Sequence, residues 1–374
     1  MDWFLPAYKA GGPIQSIANL VREMENWPVE CFIFCGNKDL DGTLVKEVEF
    51  DQWVDFNQNT KVWYATGHNF NANLKQILKN IKPDILFVNG IYSWRFNFLP
   101  LIIGKSAHRI VSARGMLHPG ALSQKRFKKQ IYLSLWKLAG FSEKVSFHAT
   151  DNKEAQFIKN TFGNNISVKV AGNFPGVLPL QNILFKKPGQ LKLVSVALIS
   201  PMKNHLLVLE ALSNINDTMA VSPDIYYNIC GPVKEHDYWE LCKEQMKRLP
   251  SNIKVNYMGE TPPREIVKIL ADNHLFILPS KSENFGHAIY ESLTAGRPVI
   301  TSNNTPWNKL KENKAGINVS LNNSYELVNA LQFFVAMGEE ELLEWSSAAR
   351  SYALHAVNFD SIRNEYKEMF GLDL

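Results

Sequence analysis

Short runs rich in β-branched and aromatic residues recur along this chain, and stretches of helical length and period separate most of them. VECFIFCG, KVWYA, DILFVNG, RIVSARG, KVSFHAT and SVKVAGNF come first, then LKLVSVALIS, DIYYNICG, IKVNYMG, HLFILPS, PVITS and GINVS. Helical spacing runs through residues 13–26, 151–162, 204–215 and 323–337. Strands that alternate with helices imply parallel sheets covered on both faces, so the expected class is α/β.

A length of 374 residues exceeds what one ordinary core serves and suits two domains. Residues 172–190, GNFPGVLPLQNILFKKPGQ, break the alternation with three prolines and three glycines, as a linker does. We therefore expect an N-terminal domain over 1–175, a second over 176–357, and a closing helix over 358–374 that returns to the first. The opening is irregular. A doubly wound domain starts with a strand, yet MDWFLPAYKAGGP is loop-like and a helix follows at once. Either the first strand is a stub around Trp3 to Leu5, or the true start lies upstream.

Composition narrows the class further. Hydrophobic residues make up 45% and charged residues 20%, and no apolar run approaches the roughly 20 residues of a membrane span. Four cysteines in so long a chain do not make a disulfide framework, and Cys31 and Cys35 read as strand residues rather than metal ligands. With no signal peptide visible, the cytosol is the expected address. A net charge of +4 is too weak to imply nucleic acid and suits an anionic ligand or membrane surface. Residues 124–141, QKRFKKQIYLSLWKLAGF, place Lys125, Arg126, Lys128, Lys129 and Lys137 beside Phe127, Ile131, Tyr132, Leu135 and Trp136 at helical spacing. Such a segment is either a core helix with a solvated lysine face or a peripheral contact with anionic membrane.

Open parallel sheets bind ligands beyond the carboxyl ends of their strands. That rule selects Gly11 and Gly12, Arg114 to His118, Pro201 to Asn204, Gly231, and Ser280 to Gly286. In SKSENFGHAIYESLTAG a turn follows the strand HLFILPS, and the helix after it ends at Gly296 and Pro298. Its first N–H groups, around Phe285 to His287, form a phosphate-compatible site. Glu283 precedes that site and Glu291 lies two turns in, on the order of 10 Å away, about the reach of a sugar diphosphate. One carboxylate can accept from sugar hydroxyls and the other from a ribose diol.

ENFGHAIYE, followed by SLTAGRPVITS and TPW, resembles the E-x7-E segment of the retaining GT-B glycosyltransferases of family four, the group one enzymes of bacterial surface polysaccharide synthesis. KAGGP, SARGML and LISPMKN match in the same order across nearly the whole chain. The resemblance implies two Rossmann-like domains facing each other across a cleft, with donor held mainly by the second and acceptor by the first. It implies sugar transfer from a nucleoside diphosphate sugar, of UDP or GDP type, to a saccharide or lipid-linked saccharide, with no metal and no further cofactor. By position, Glu283 would contact the donor sugar and Glu291 the ribose. Asn284, Phe285 and Gly286 would offer backbone N–H groups, Lys203 would stabilise the departing diphosphate, and Gly12 and Gly231 would let the backbone approach the donor. Arg114 stands where many relatives carry histidine and would bind anion or position acceptor, with His118 beside it. Leu198 replaces the arginine that many relatives have five positions before the lysine. Arg114, Arg264 and Arg297 are the candidate substitutes. A non-catalytic nucleotide-sugar binder and a GT-B epimerase are the rival readings.

Overall fold

The computed structural model describes residues 1–123, 126–215 and 222–372. The chain forms two compact units, Met1–Phe174 with Asn358–Leu374, and Pro175–Val357.

The first unit opens with a loop, and Trp3 to Leu5 form no strand. Helix α1 (Gly12–Glu23) begins with Pro13 in its first turn, where a missing N–H costs nothing. Strand β1 (Cys31–Gly36) pairs in parallel with β3 (Thr60–Ala65). β3 also pairs with β2 (Trp53–Asn57), antiparallel, giving a three-stranded sheet of order β1-β3-β2. That antiparallel strand departs from the all-parallel expectation. The hairpin is held by cross-strand packing of Trp53 on Trp63, ring centroids 5.5 Å apart.

Helix α2 (Phe70–Ile81) leads to β4 (Ile85–Asn89), then a π-helical turn and α3 (Leu99–Ile103), and β5 (His108–Ser112). Helices α4 (Pro119–Ser123) and α5 (Arg126–Leu138), β6 (Ser146–Ala149), α6 (Asn152–Phe162) and β7 (Ser167–Val170) follow. The second sheet is parallel throughout, of order β4-β5-β6-β7. Asp151 caps α6 by accepting from Glu154 N at 2.7 Å.

The second unit holds one six-stranded sheet, in which every pairing is parallel. In chain order it comprises β8 (Gln190–Val196), α7 (His205–Asn214), β9 (Asp224–Cys230), α8 (His236–Met246), β10 (Ile253–Gly259) and α9 (Pro263–Ala271). Then come β11 (Leu275–Leu278), α10 (His287–Thr294), β12 (Val299–Ser302), β13 (Gly316–Val319), α11 (Ser324–Ala336) and α12 (Glu339–Ala356). β11 and β12 are buried at every position, which is why LFIL and VITS read as unbroken apolar or small runs. The sheet order is β10-β9-β8-β11-β12-β13. Winding therefore runs outward in one direction from β8 and in the other from β11, and the switch point lies between these two neighbours.

Helix α13 (Phe359–Phe370) belongs to the first unit. Asn358 caps it by accepting from Ser361 N at 3.0 Å. It buries Ile362, Tyr366 and Met369, stacks Tyr366 on Phe174 at 5.5 Å, and ties Glu365 to Gly172 N at 2.9 Å.

Candidate active site

The carboxyl ends of β8 and β11 each run into a turn and then a helix. After β8, Asn204 takes a left-handed conformation (φ 63°) and α7 starts without a side-chain cap. After β11, Gly286 does the same (φ 80°) and α10 also starts without one. Two helix starts whose N-cap residues make no side-chain cap thus flank the switch point, the arrangement that favours an anion, although at α7 the Leu206 N–H already donates to Tyr238 Oη at 2.9 Å. A side chain at Gly286 would meet Ile289 and Trp307 at 3.2 Å on top of the strained φ, so only glycine closes this turn without displacement.

Lys203 and Glu283 meet across the switch point. Lys203 Nζ donates to Glu283 Oε1 at 2.5 Å, and Ser280 Oγ donates to the same oxygen at 2.6 Å. The two loops are also joined by the main chain, with Lys281 N on Met202 O at 2.8 Å. His205, beside Lys203, is buried with neither ring nitrogen hydrogen-bonded. Burial, with the Lys203 charge adding to it, pushes its pKa down to about 3. The imidazole is neutral, so Lys203 is the cation at this turn.

Glu291 lies on α10 with part of its surface still accessible. Desolvation pushes its pKa up to about 7, and no neighbouring cation offsets the shift. This is not the solvated helix face that would make the residue unremarkable. Glu283 is satisfied by Lys203 and Ser280, whereas no hydrogen bond to the Glu291 carboxylate is found among the described residues.

The turn that carries Asn284 and Phe285 is fixed from behind. Trp307 Nε1 donates to Phe285 O at 2.6 Å, its ring meets Phe285 edge-on at 5.3 Å, and Asn318 Nδ2 holds Trp307 O at 2.7 Å. Asn284 is exposed at the tip. Ser280 and Trp307 are the supporting residues that the sequence reading did not assign. Their signal was adjacency, since Ser280 lies three residues before Glu283 and Trp307 closes the TPW segment.

Gly231 turns out to have a steric reason of its own. Its φ is +134°, and a Cβ there would lie 2.0 Å from Ala197 O, so the ends of β8 and β9 can approach only with glycine between them. Leu198 is partly exposed in the loop after β8. Of its candidate substitutes in this unit, Arg297 is ruled out. Its guanidinium is buried, donating to Leu270 O at 2.7 Å, Asn182 O at 2.5 Å and Gly296 O at 3.2 Å, and it pins the linker to the sheet. Arg264 is exposed in the first turn of α9.

In the first unit, Gly11 (φ 72°), with open space around its Cα, precedes Gly12, the first residue of α1. Arg114 lies just beyond β5 with φ 50°, Nε on Asn89 Oδ1 at 2.8 Å and Nη1 on Asn173 Oδ1 at 2.6 Å. It ties together the carboxyl ends of β4, β5 and β7. His118 Nδ1 accepts from Gly120 N at 3.1 Å and its ring meets Phe157 edge-on at 5.1 Å, so it shapes its own turn. Among the described residues, no three His, Cys, Asp or Glu side chains gather as a metal ion requires.

Residues 180–352 match the family model for glycosyl transferases group 1. The match covers the switch-point loops, α10 and the Trp307 support. No curated protein matches the chain. Among solved structures, HepE from Anabaena in complex with UDP and glucose is similar at 14% identity and a TM-score of 0.67, with 98% of each chain covered. WaaG, a glycosyltransferase involved in lipopolysaccharide biosynthesis, gives the same values. A TarM mutant from S. aureus in complex with fondaparinux, α-GlcNAc-glycerol and UDP gives 16% identity and a TM-score of 0.59. That match covers 80% of this chain and 58% of TarM, so this chain spans just over half the length of that relative. At these identities the likeness shows the fold, which is GT-B with two Rossmann-like domains.

Proposed function

We propose that the protein is a retaining glycosyltransferase that moves a sugar from a nucleoside diphosphate sugar to a saccharide or lipid-linked saccharide acceptor. The observation that carries this reading is the Lys203–Glu283 pair, seated between two uncapped helix starts at the switch point with the unpartnered Glu291 farther along α10. The diphosphate sits at the helix starts, where N–H dipoles and the Lys203 ammonium meet the charge that builds as the sugar–phosphate bond breaks. Glu283 accepts from donor-sugar hydroxyls and Glu291 from the ribose diol. Asn284, Phe285 and Gly286 contribute main-chain N–H groups. UDP in the HepE and TarM complexes makes a uridine donor the first choice.

No residue serves as covalent nucleophile in this reading. Retention follows from attack on the face the phosphate leaves, with a departing phosphate oxygen taking the acceptor's proton. Neither a metal nor a further cofactor takes part. On the acceptor side we assign Arg114 and His118, both beyond the carboxyl end of β5. The test is a thermal-shift panel of UDP, GDP, ADP and their sugars. At about 100 times its Kd the true donor adds roughly 2.7 kcal/mol, and incubation with acceptor releases free nucleoside diphosphate. Stabilisation without nucleotide release would make the protein a binder, and no stabilisation by any member would overturn the reading.

We also propose that the first unit docks on anionic membrane through α5, where a lipid-linked acceptor resides. Side-chain exposure along this segment supports the membrane reading, and Gln124 and Lys125 lie outside the described residues. Leu133 and Trp136 face the core, but Phe127, Ile131 and Leu135 are 75%, 48% and 56% exposed, one helical stripe that Arg126, Lys128 and Lys137 border. An exposed apolar row flanked by cations is what an interfacial helix presents. No helix among the described residues is long and apolar enough to cross a membrane. The doubly substituted Ile131→Asp, Leu135→Asp protein should partition onto phosphatidylserine-containing vesicles at least about tenfold more weakly in co-sedimentation. Equal partitioning of both proteins would remove α5 from the contact.

A further inference from the structure

The turn after β5 is built around an arginine whose charge no carboxylate meets directly. Arg114 is held in the left-handed region (φ 50°), and Gly115 follows it there (φ 71°). A residue other than glycine reaches that region at a cost, and the strain persists only where the surroundings over-determine it. Here the surroundings are neutral acceptors and one main-chain contact. Asn89 Oδ1 and Asn173 Oδ1 each take one of the five N–H donors of the guanidinium, and Glu154 Oε1 accepts from Gly115 N at 2.5 Å.

The guanidinium is thereby aimed and left charged. Its Nη2 is covered and has no hydrogen-bond acceptor, and Arg114 forms no ion pair among the described residues. Tyr366 of α13 lies close enough to Arg114, Glu154 and Glu365 to feel all three charges, yet both acids are spent on other donors. Glu154 also accepts from Thr150 N at 2.8 Å and Thr150 Oγ1 at 2.7 Å, and Glu365 holds Gly172 N at 2.9 Å and Ser361 Oγ at 3.3 Å. Neighbouring groups register the cation. Burial, with the Arg114 charge adding to it, pushes the His148 pKa down to about 3, so that ring is neutral.

Arg297 supplies the contrast. That arginine only joins segments, and each of its three side-chain nitrogens has a carbonyl. A staple of the same kind at Arg114 would be satisfied in the same way. Its place says what the unused donors are for. Arg114 is partly exposed beyond the carboxyl end of β5, where open parallel sheets take their ligands, and the turn after β4 is fastened alongside by Tyr92 Oη on Met116 O at 3.4 Å. A planar guanidinium fork matches the oxygens of a carboxylate or a phosphate.

We propose that Arg114 is the anion subsite of the acceptor, so that the saccharide taken by the first unit carries a carboxylate or a phosphate group. The proposal rests on the acceptor assignment made above. Asn89 and Asn173 are its positioning residues, neutral acceptors that orient the fork and leave its charge for the ligand.

Calorimetric titration with methyl glucoside, methyl glucuronide and inorganic phosphate at equal ionic strength tests it. The parent protein should bind methyl glucuronide or phosphate at least about tenfold more tightly than methyl glucoside, and whichever does so identifies the group. Asn173→Asp places a carboxylate at the oxygen that Nη1 already meets, which supplies the countercharge without removing the contact. That variant should melt no lower than the parent and lose the preference, whereas Lys203→Met should keep it. Asn89→Asp repeats the substitution at the other oxygen should Asn173→Asp fail to fold. Equal affinities for the three compounds overturn the proposal, and so does a preference that survives the aspartate variants. A preference lost in Lys203→Met instead puts the anion at the switch point and also overturns it. The nucleotide panel on the same protein decides the transfer reading separately, so the failure of one is not mistaken for the failure of the other.

Discussion

Glu291→Gln will lose most of the thermal stabilisation that a nucleoside diphosphate sugar provides, and the ligand-free variant will melt higher than the parent protein at pH 8. Both effects follow from one carboxylate held without a partner. Its pKa is raised to about 7 from an ordinary 4.5, and desolvation is the cause. Between pH 4.5 and 7 the folded protein keeps a proton that the unfolded chain releases. Stability is therefore lost as pH rises through that window, and above pH 7 the whole penalty, on the order of 1 to 3 kcal/mol, applies. Glutamine has the same shape and no charge, so the variant escapes the penalty at pH 8 and gains little at pH 5.

The binding side has the opposite sign. A ribose diol donates two hydrogen bonds to the ionised carboxylate, so the nucleotide favours the charged form that the empty site disfavours. Affinity should tighten as pH rises from 6 to 8. Removing those acceptors should weaken binding roughly 30-fold, about 2 kcal/mol. Melting curves at pH 5 and pH 8, with and without ligand, read both effects. If the variant melts lower at pH 8 and keeps the parent's ligand response, the ribose assignment is wrong.

The strands were legible because parallel strands buried on both faces leave continuous apolar runs, as in LFIL of β11. β2 was not, since WVDFN is half-buried and Asp55 breaks the run. Its partner is chosen by a hairpin turn and the Trp53–Trp63 contact rather than by periodicity. At the site, their spacing across one turn and the helix that follows it made Glu283 and Glu291 visible together. The Lys203–Glu283 contact spans 80 residues and exists because the sheet order makes β8 and β11 neighbours, which no local pattern encodes. Arg297 misled for a related reason. An arginine beside a glycine at a helix end looks available to ligand, but the carbonyls of Leu270, Asn182 and Gly296 converge on it from three segments. The lysines and apolar residues of α5 gave the same helical spacing for a core helix and a membrane-contacting one, and spacing could not tell that Leu133 and Trp136 are buried while Phe127, Ile131 and Leu135 are exposed.

Lys203→Met should lower turnover of the donor by about 10² to 10³-fold with a smaller change in donor affinity, because the charge it meets is greatest as the diphosphate departs. The resting contact with Glu283 does not stand in the way. An ammonium carries three donors, and holding one on Glu283 leaves two for phosphate oxygens. Glu283 thereby orients the lysine as well as facing the sugar, and a double-mutant cycle separates these roles. If Glu283 acts only through Lys203, Glu283→Gln adds nothing in the Lys203→Met background. If it also accepts from sugar hydroxyls, the two losses add and the donor KM rises with Glu283→Gln alone. Initial rates of nucleoside diphosphate release from the four proteins distinguish the cases, and wild-type turnover by Lys203→Met would show that some other group carries the leaving-group charge.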